Sequence, residues 1–159
     1  MDTRTDPKLL EYPVAATPRE TIPAFWATVG RIVLGLFFLS SGIGKLIGEP
    51  GAIQEMARHG FPLVVQLYWA TAVFETVFGA AMVLGILIGW TSVLLALFTL
   101  ATALTIHTFW NDSAGSMARM SDLINFEKNL AIIGGLLALG ALGPGPLAIR
   151  LTSRERQRN

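Results

Sequence analysis

The sequence predicts an all-α fold, an integral membrane four-helix bundle with both termini in the cytoplasm (N-in/C-in). Three observations carry that prediction: a composition far from that of soluble domains, four long apolar runs, and basic residues gathered beyond the first and last of them. Of 159 residues, 52% are hydrophobic and only 14% charged, against about 25% charged in soluble domains. The mean hydropathy is +0.54. A net charge of +1 and a pI near 8.2 offer no broad basic face, so nucleic acid is not an expected partner.

Residues 1–24, Met1 to Ala24, mix acids and bases with Pro7, Pro13 and Pro18, and read as a disordered cytoplasmic tail. The run after Pro23 is too long for a cleaved signal and reads as a retained first span. Span one, Phe25 to Ile47, is apolar or small on every helical face along VLGLFFLSSGIG, which only lipid or a deep core tolerates. Span two covers Val64 to Ile88 and span three Trp90 to Trp110, with a tight turn expected at Gly89. Both reach the roughly 20 residues that a hydrocarbon core of about 30 Å requires. Span four, Phe126 to Leu142, opens on Glu127 and Lys128 and stops at Gly143-Pro144-Gly145-Pro146; residues 144–159 form a basic tail. Between spans one and two, Ile53, Met56 and Ala57 oppose Gln54, Glu55 and Arg58, the pattern of a short helix lying in the interface.

Orientation follows from Arg4, Lys8 and Arg19 before span one and Arg150, Arg154, Arg156 and Arg158 after span four. The positive-inside rule puts both sets in the cytoplasm, and an even number of spans satisfies both. A bacterial inner membrane is the expected location. A soluble four-helix bundle would need a polar stripe on each helix, and none of these runs has one.

Ionisable groups within lipid cost roughly 2.5–3.5 kcal/mol each, so each calls for a partner. Glu75 lies near the middle of span two in the context AVFETVFG. It reads as a structural tie between helices or as a proton acceptor or relay. In span one, Arg31, Gly35, Phe38, Gly42 and Lys45 share one face, which therefore points into the bundle. Side chains tilt toward their own helix N-terminus, so Lys45 and Glu75 on antiparallel helices close much of an axial offset of about 10 Å. An ion pair, direct or through water, is expected. His107 and Trp110 near the end of span three, and Lys128 and Asn129 at the start of span four, stand at the same outer level. Together with Lys45, the deeper Glu75 and Arg31 they form the candidate polar pocket. Taken singly, His107 also fits an interfacial histidine bonded to a carbonyl, Trp110 an aromatic-belt anchor and Lys45 a snorkelling lysine.

No metal site is expected, since His59 and His107 are the only histidines and lie on different elements. Cysteine is absent, so any redox role rests on a bound or partner cofactor. Thr99, Thr102 and Thr105 either face a ligand or return hydrogen bonds to their own helix. Gly134-Gly135 reads as a point of close helix packing.

The stretches RIVLGLFFLSSGIGKL, HGFP, FETVFGAAMVLG and FEKNLAIIGGLLALG, in that order from Arg31 to Leu142, resemble the DoxX family of small bacterial membrane proteins. The family's recurring polar positions match at Arg31, Lys45, Glu75, Lys128 and Asn129. The resemblance implies a four-helix membrane bundle and an association with quinone-linked or oxidative-stress oxidoreductases. The absence of cysteine and the long polar N-terminal tail depart from any autonomous sulfur or disulfide chemistry. The leading expectation is a membrane subunit of a redox system that binds a quinone or similar small organic molecule, with a soluble or membrane oxidoreductase as partner. A non-catalytic anchor or assembly factor, a small proton-coupled transporter and a homo-oligomer stay open.

Overall fold

The structure, a computed structural model, describes residues 18–48, 50–145 and 147–149, with side chains from Ala24 on. Five α-helices follow one another: α1 Pro18–Leu46, α2 Pro50–Arg58, α3 Val64–Leu84, α4 Ile88–Thr105 and α5 Met117–Leu142, with a 3-10 turn at Phe109–Asn111. Among the described residues there is no strand. Four of these helices are long and apolar enough to cross a membrane, so the chain is a helical membrane bundle.

Its polarity is arranged for lipid. Large apolar side chains such as Leu36, Val77, Leu97 and Leu137 face outward, whereas Arg31, Glu75, Ser92, Thr99 and Asn129 are buried. All four tryptophans are exposed near the ends of the bundle. Trp26 and Trp90 mark the end that carries the α3–α4 turn, and Trp69 and Trp110 the end that carries α2. That is the placement of two aromatic belts.

The helices associate as two tight antiparallel pairs, α1 with α3 and α4 with α5. Within the first pair the backbones nearly touch. A Cβ on Gly42 would stand 2.5 Å from the backbone nitrogen of Thr76, and one on Gly79 would stand 2.5 Å from that of Leu39. Small residues seven apart on both helices, Gly35 and Gly42 against Ala72 and Gly79, permit this approach, because lipid supplies no hydrophobic drive and packing must do the work. In the second pair the close point is Gly140, whose added Cβ would meet Ser92 at 3.2 Å. Gly134 and Gly135, expected to be the packing glycines, are not: a Cβ on Gly134 meets nothing within 4 Å and one on Gly135 only Leu34 at 3.6 Å.

Several boundaries differ from expectation. The α3–α4 turn is formed by Gly85, Ile86 and Leu87 rather than at Gly89, which lies inside α4. Gly85 adopts φ 79°, and the amides of Gly85 and Ile86 donate to Met82 and Ala81 carbonyls. This double closure of a helix end needs a left-handed residue, which glycine adopts without strain. α5 starts nine residues before Phe126 because Ser116 caps it, accepting from the Arg119 amide at 3.1 Å. Of the tail expected over 1–24, residues 1–17 lie outside the described residues, and from Pro18 the backbone is helical. Residues 150–159, with their arginines, also lie outside. In α2, Ile53 and Met56 are half-buried as anticipated, but Ala57 is exposed and Glu55 half-buried.

These contacts predict opposite outcomes for two glycines. Gly79→Leu should lower the thermal midpoint in detergent and cost about 1–3 kcal/mol or more, since backbone, not a movable side chain, occupies the space. Gly134→Leu should stay within about 0.5 kcal/mol of wild type.

Candidate functional site

The close α1–α3 contact places Lys45, one turn beyond Gly42, opposite Glu75, the neighbour of Thr76. Lys45 Nζ donates to Glu75 Oε2 at 2.6 Å and to Ser41 Oγ at 2.8 Å. The two side chains are only 12% and 7% exposed, so the pair is a buried one whose charges depend on each other. Tyr68, two turns before Glu75 on the same face of α3, donates its hydroxyl to the Lys45 carbonyl at 2.7 Å, which also accepts from the Gly48 amide at 3.1 Å, and so ties α3 to the end of α1.

Beside this pair is a cavity of about 170 Å³ between the two helix pairs. Lys45, Glu75, His107, Lys128 and Asn129, five of the seven residues of the predicted pocket, line it together. Thr99 and Thr102 also line it, but their hydroxyls donate back to Leu95 and Phe98 carbonyls at 2.7 and 3.1 Å. Thr105 is exposed and does the same to Ala101. Phe37, Phe38 and Phe98 supply aromatic walls. On the other side of the ion pair is a second cavity of about 160 Å³, which shares Lys45, Glu75, Phe98 and Thr102.

Two predicted members stand elsewhere. Arg31 is 14 residues before Lys45 on α1, about 21 Å along the helix axis at 1.5 Å per residue, and belongs to the opposite end of the bundle. It is 1% exposed; Nη1 donates to the carbonyls of Met82 and Val83, and Nη2 to that of Leu147. A guanidinium at the last carbonyls of α3 meets the negative end of the helix dipole, so Arg31 caps α3 and holds the segment after α5 against it. Trp110 is 46% exposed and packs edge-on against Phe109 and Phe126, outside the cavity. Lys128 lines the cavity from an exposed position and donates to Asn125 Oδ1 at 2.8 Å.

A polar cleft of about 670 Å³, larger than either cavity, lies at the α2 end. Glu55 on its wall is paired with Arg58 and lies 3.1 Å from His59 Nε2. His107 and Asp122 also face it, with Nδ1 and Oδ1 3.7 Å apart. Sequence reading missed Ser41, Tyr68, Phe98 and Asp122. Ser41 and Tyr68 carry a helical signal, one turn from Lys45 and two turns from Glu75; Asp122 carries none, since the apolar run of span four begins after it. Among the described residues no group of three or more His, Asp or Glu side chains is placed to hold a metal ion.

Four apolar spans enclosing one paired lysine and glutamate beside an aromatic-walled cavity define a small polytopic membrane protein with a polar interior site. The chain belongs to the DoxX family, whose pattern matches residues 26–108, from the first helix to just past the fourth. The inner membrane protein YphA of Escherichia coli K12 is 31% identical over 121 residues, 76% of this chain and 85% of that one. The inner membrane protein YqjF of the same organism is 33% identical over 133 residues, 80% and 92% of the respective chains. No solved structure matches.

Stability should report the coupling of the buried charges. Lys45→Met or Glu75→Gln alone should cost about 3–5 kcal/mol, because each leaves a buried group without its partner, whereas Lys45→Met with Glu75→Leu should recover most of the loss. Thermal unfolding of the three variants in one detergent is the check.

Proposed function

We propose that this protein is a bacterial inner-membrane subunit of a redox system, holding the ring of a quinone-like molecule in the cavity beside Lys45 and Glu75. The observation that carries the reading is the cavity's composition. Three phenylalanines offer flat apolar contact, while Lys45, Asn129, His107 and Lys128 offer donors at its polar margin. A quinone needs this combination of an apolar slot and a few placed polar groups. At about 170 Å³ the cavity is smaller than the roughly 300–1,000 Å³ of sites that enclose a whole drug-sized ligand. It therefore takes one ring-sized head, with any tail left outside among the helices and lipid.

In this reading two electrons arrive from a partner oxidoreductase and two protons from the protein, converting quinone to quinol. Glu75 is the group that takes up and passes on a proton, and Lys45 holds its charge when ionised. The location follows the names of the two relatives, and the orientation follows the basic residues of the two tails, which puts the α2 end and its cleft on the periplasmic side. A second reading, a non-catalytic anchor for a partner enzyme, is favoured by the closed geometry of the ion pair, which already joins α1 to α3 without any ligand.

Titration of the purified protein with a short-tailed ubiquinone analogue separates these readings. Wild type should bind, and Glu75→Gln should bind at least about tenfold more weakly, a loss of about 1.4 kcal/mol. Trp110→Phe, outside the cavity, should match wild type. No binding in wild type removes the quinone site and leaves the anchor; equal affinity in Glu75→Gln removes Glu75 from the mechanism. A green fluorescent protein fused after Asn159 should fluoresce, and alkaline phosphatase at the same place should be inactive; the reverse pattern overturns the orientation.

A further inference from the structure

We propose that His107 and Asp122 form a proton relay that connects the polar cleft to the Lys45–Glu75 pair. The proposal rests on the reading of Glu75 as a proton acceptor and goes beyond it by assigning the route. Among the described residues, His107 is the one that lines both the cleft and the 170 Å³ cavity. It sits just after α4 ends at Thr105, on non-helical backbone, where a side chain can span two compartments. Asp122, in the second turn of α5, lines the cleft and not the cavity.

The geometry is that of a shuttle at rest. His107 Nδ1 lies 3.7 Å from Asp122 Oδ1, beyond a direct hydrogen bond and within reach of one after a small side-chain movement. Nδ1 is closed off from solvent and makes no hydrogen bond. Imidazole can accept a proton at one nitrogen and release another from the second. A proton from cleft water passes to the Asp122 carboxylate on the cleft wall and from the acid so formed to Nδ1 as the two side chains close; the carboxylate, restored, stabilises the imidazolium. The proton on Nε2 then leaves through the cavity to the Glu75 carboxylate. His107 ends neutral with its proton on Nδ1, Glu75 ends as the carboxylic acid, and charge is conserved. Ring rotation, or return of the Nδ1 proton through Asp122, restores the starting tautomer.

The charged groups that face His107 come from several elements. Asp122 and Lys128 of α5 and His59 act on His107, with Lys45 of α1 and Glu75 of α3 across the cavity and Asp112 and Glu55 along the cleft. Asp122 is the carboxylate beside the ring nitrogen. Glu55 also lines both the cleft and the second cavity, but Arg58 and His59 engage its two oxygens, which fixes it as an ionised acceptor.

The test uses the full chain in lipid nanodiscs and no quinone. After an acid pH jump, infrared spectroscopy follows the carbonyl stretch of protonated Glu75, assigned by its loss in Glu75→Gln. His107→Ala and Asp122→Asn should each slow its appearance about ten- to a hundredfold, the lower part of the range for a positioned proton-transfer group. His107→Gln, which keeps a polar side chain of similar reach, should be as slow and guards against misfolding. Added imidazole, small enough for a cleft of about 670 Å³, should restore much of the rate in His107→Ala. An unchanged rate in either the His107 or the Asp122 variants, or a slowed rate that imidazole leaves slow, overturns the relay. Absence of a Glu75 band in wild type overturns the acceptor reading itself. Because the rate is read without quinone, failure of quinone binding and failure of the relay are separate results.

Discussion

Gly42 lacks a side chain where the backbone of Thr76 occupies the space a Cβ would need, and that one approach governs how charge is accommodated in this bundle. Lipid offers neither water for an ion nor a hydrophobic incentive for helices to associate. With α1 and α3 in backbone contact, residues just beyond the glycine come within side-chain reach across the pair. Lys45 and Glu75 are those residues, and their 2.6 Å contact follows from the helix approach. A bulkier residue at Gly42 or Gly79 would separate the helices and leave two ions in a medium that solvates neither.

The same face of α1 carries a second cation with a different outcome. Among the described residues no carboxylate pairs with Arg31, because the register that sets Lys45 against Glu75 sets Arg31 against the end of α3. There the partners are carbonyls: Met82, Val83 and, from the chain beyond α5, Leu147. A planar guanidinium with five donors suits several carbonyls at once, whereas an ammonium suits a single carboxylate and a hydroxyl. Arginine and lysine are thus each matched to their position along one helix face.

The periodicity of the sequence revealed that face, and hence both that Arg31 and Lys45 point inward and that Glu75 meets Lys45. It also grouped His107, Lys128 and Asn129 with the pair, because depth along a span can be counted in residues. It failed where partners are set by chain ends. Arg31 was placed in the pocket because two cations on one face read as one site, and the carbonyls that hold it leave no mark in side-chain chemistry. The start of α5 was missed because hydropathy marks where lipid begins, while helices continue past it; Asp122 lies in that overhang. Gly85 forms the turn and Gly89 lies just past it inside α4, and only backbone conformation distinguishes them.

The position of the cavities has its own cause in side-chain size. Where glycine, alanine and serine face one another, within α1/α3 and α4/α5, the helices close up and leave no space. The seams between the two pairs are filled instead by Phe38, Phe74, Phe78 and Phe98, whose rings hold the pairs apart. Rigid rings pack against neighbours without filling every gap beside a polar side chain, and the hollows on either side of Lys45–Glu75 occur at these seams. A bundle built from four equal contacts would have hidden the ion pair on all sides. Two tight pairs with an aromatic seam leave it reachable, which is the structural condition for a buried charge to act on anything besides its partner.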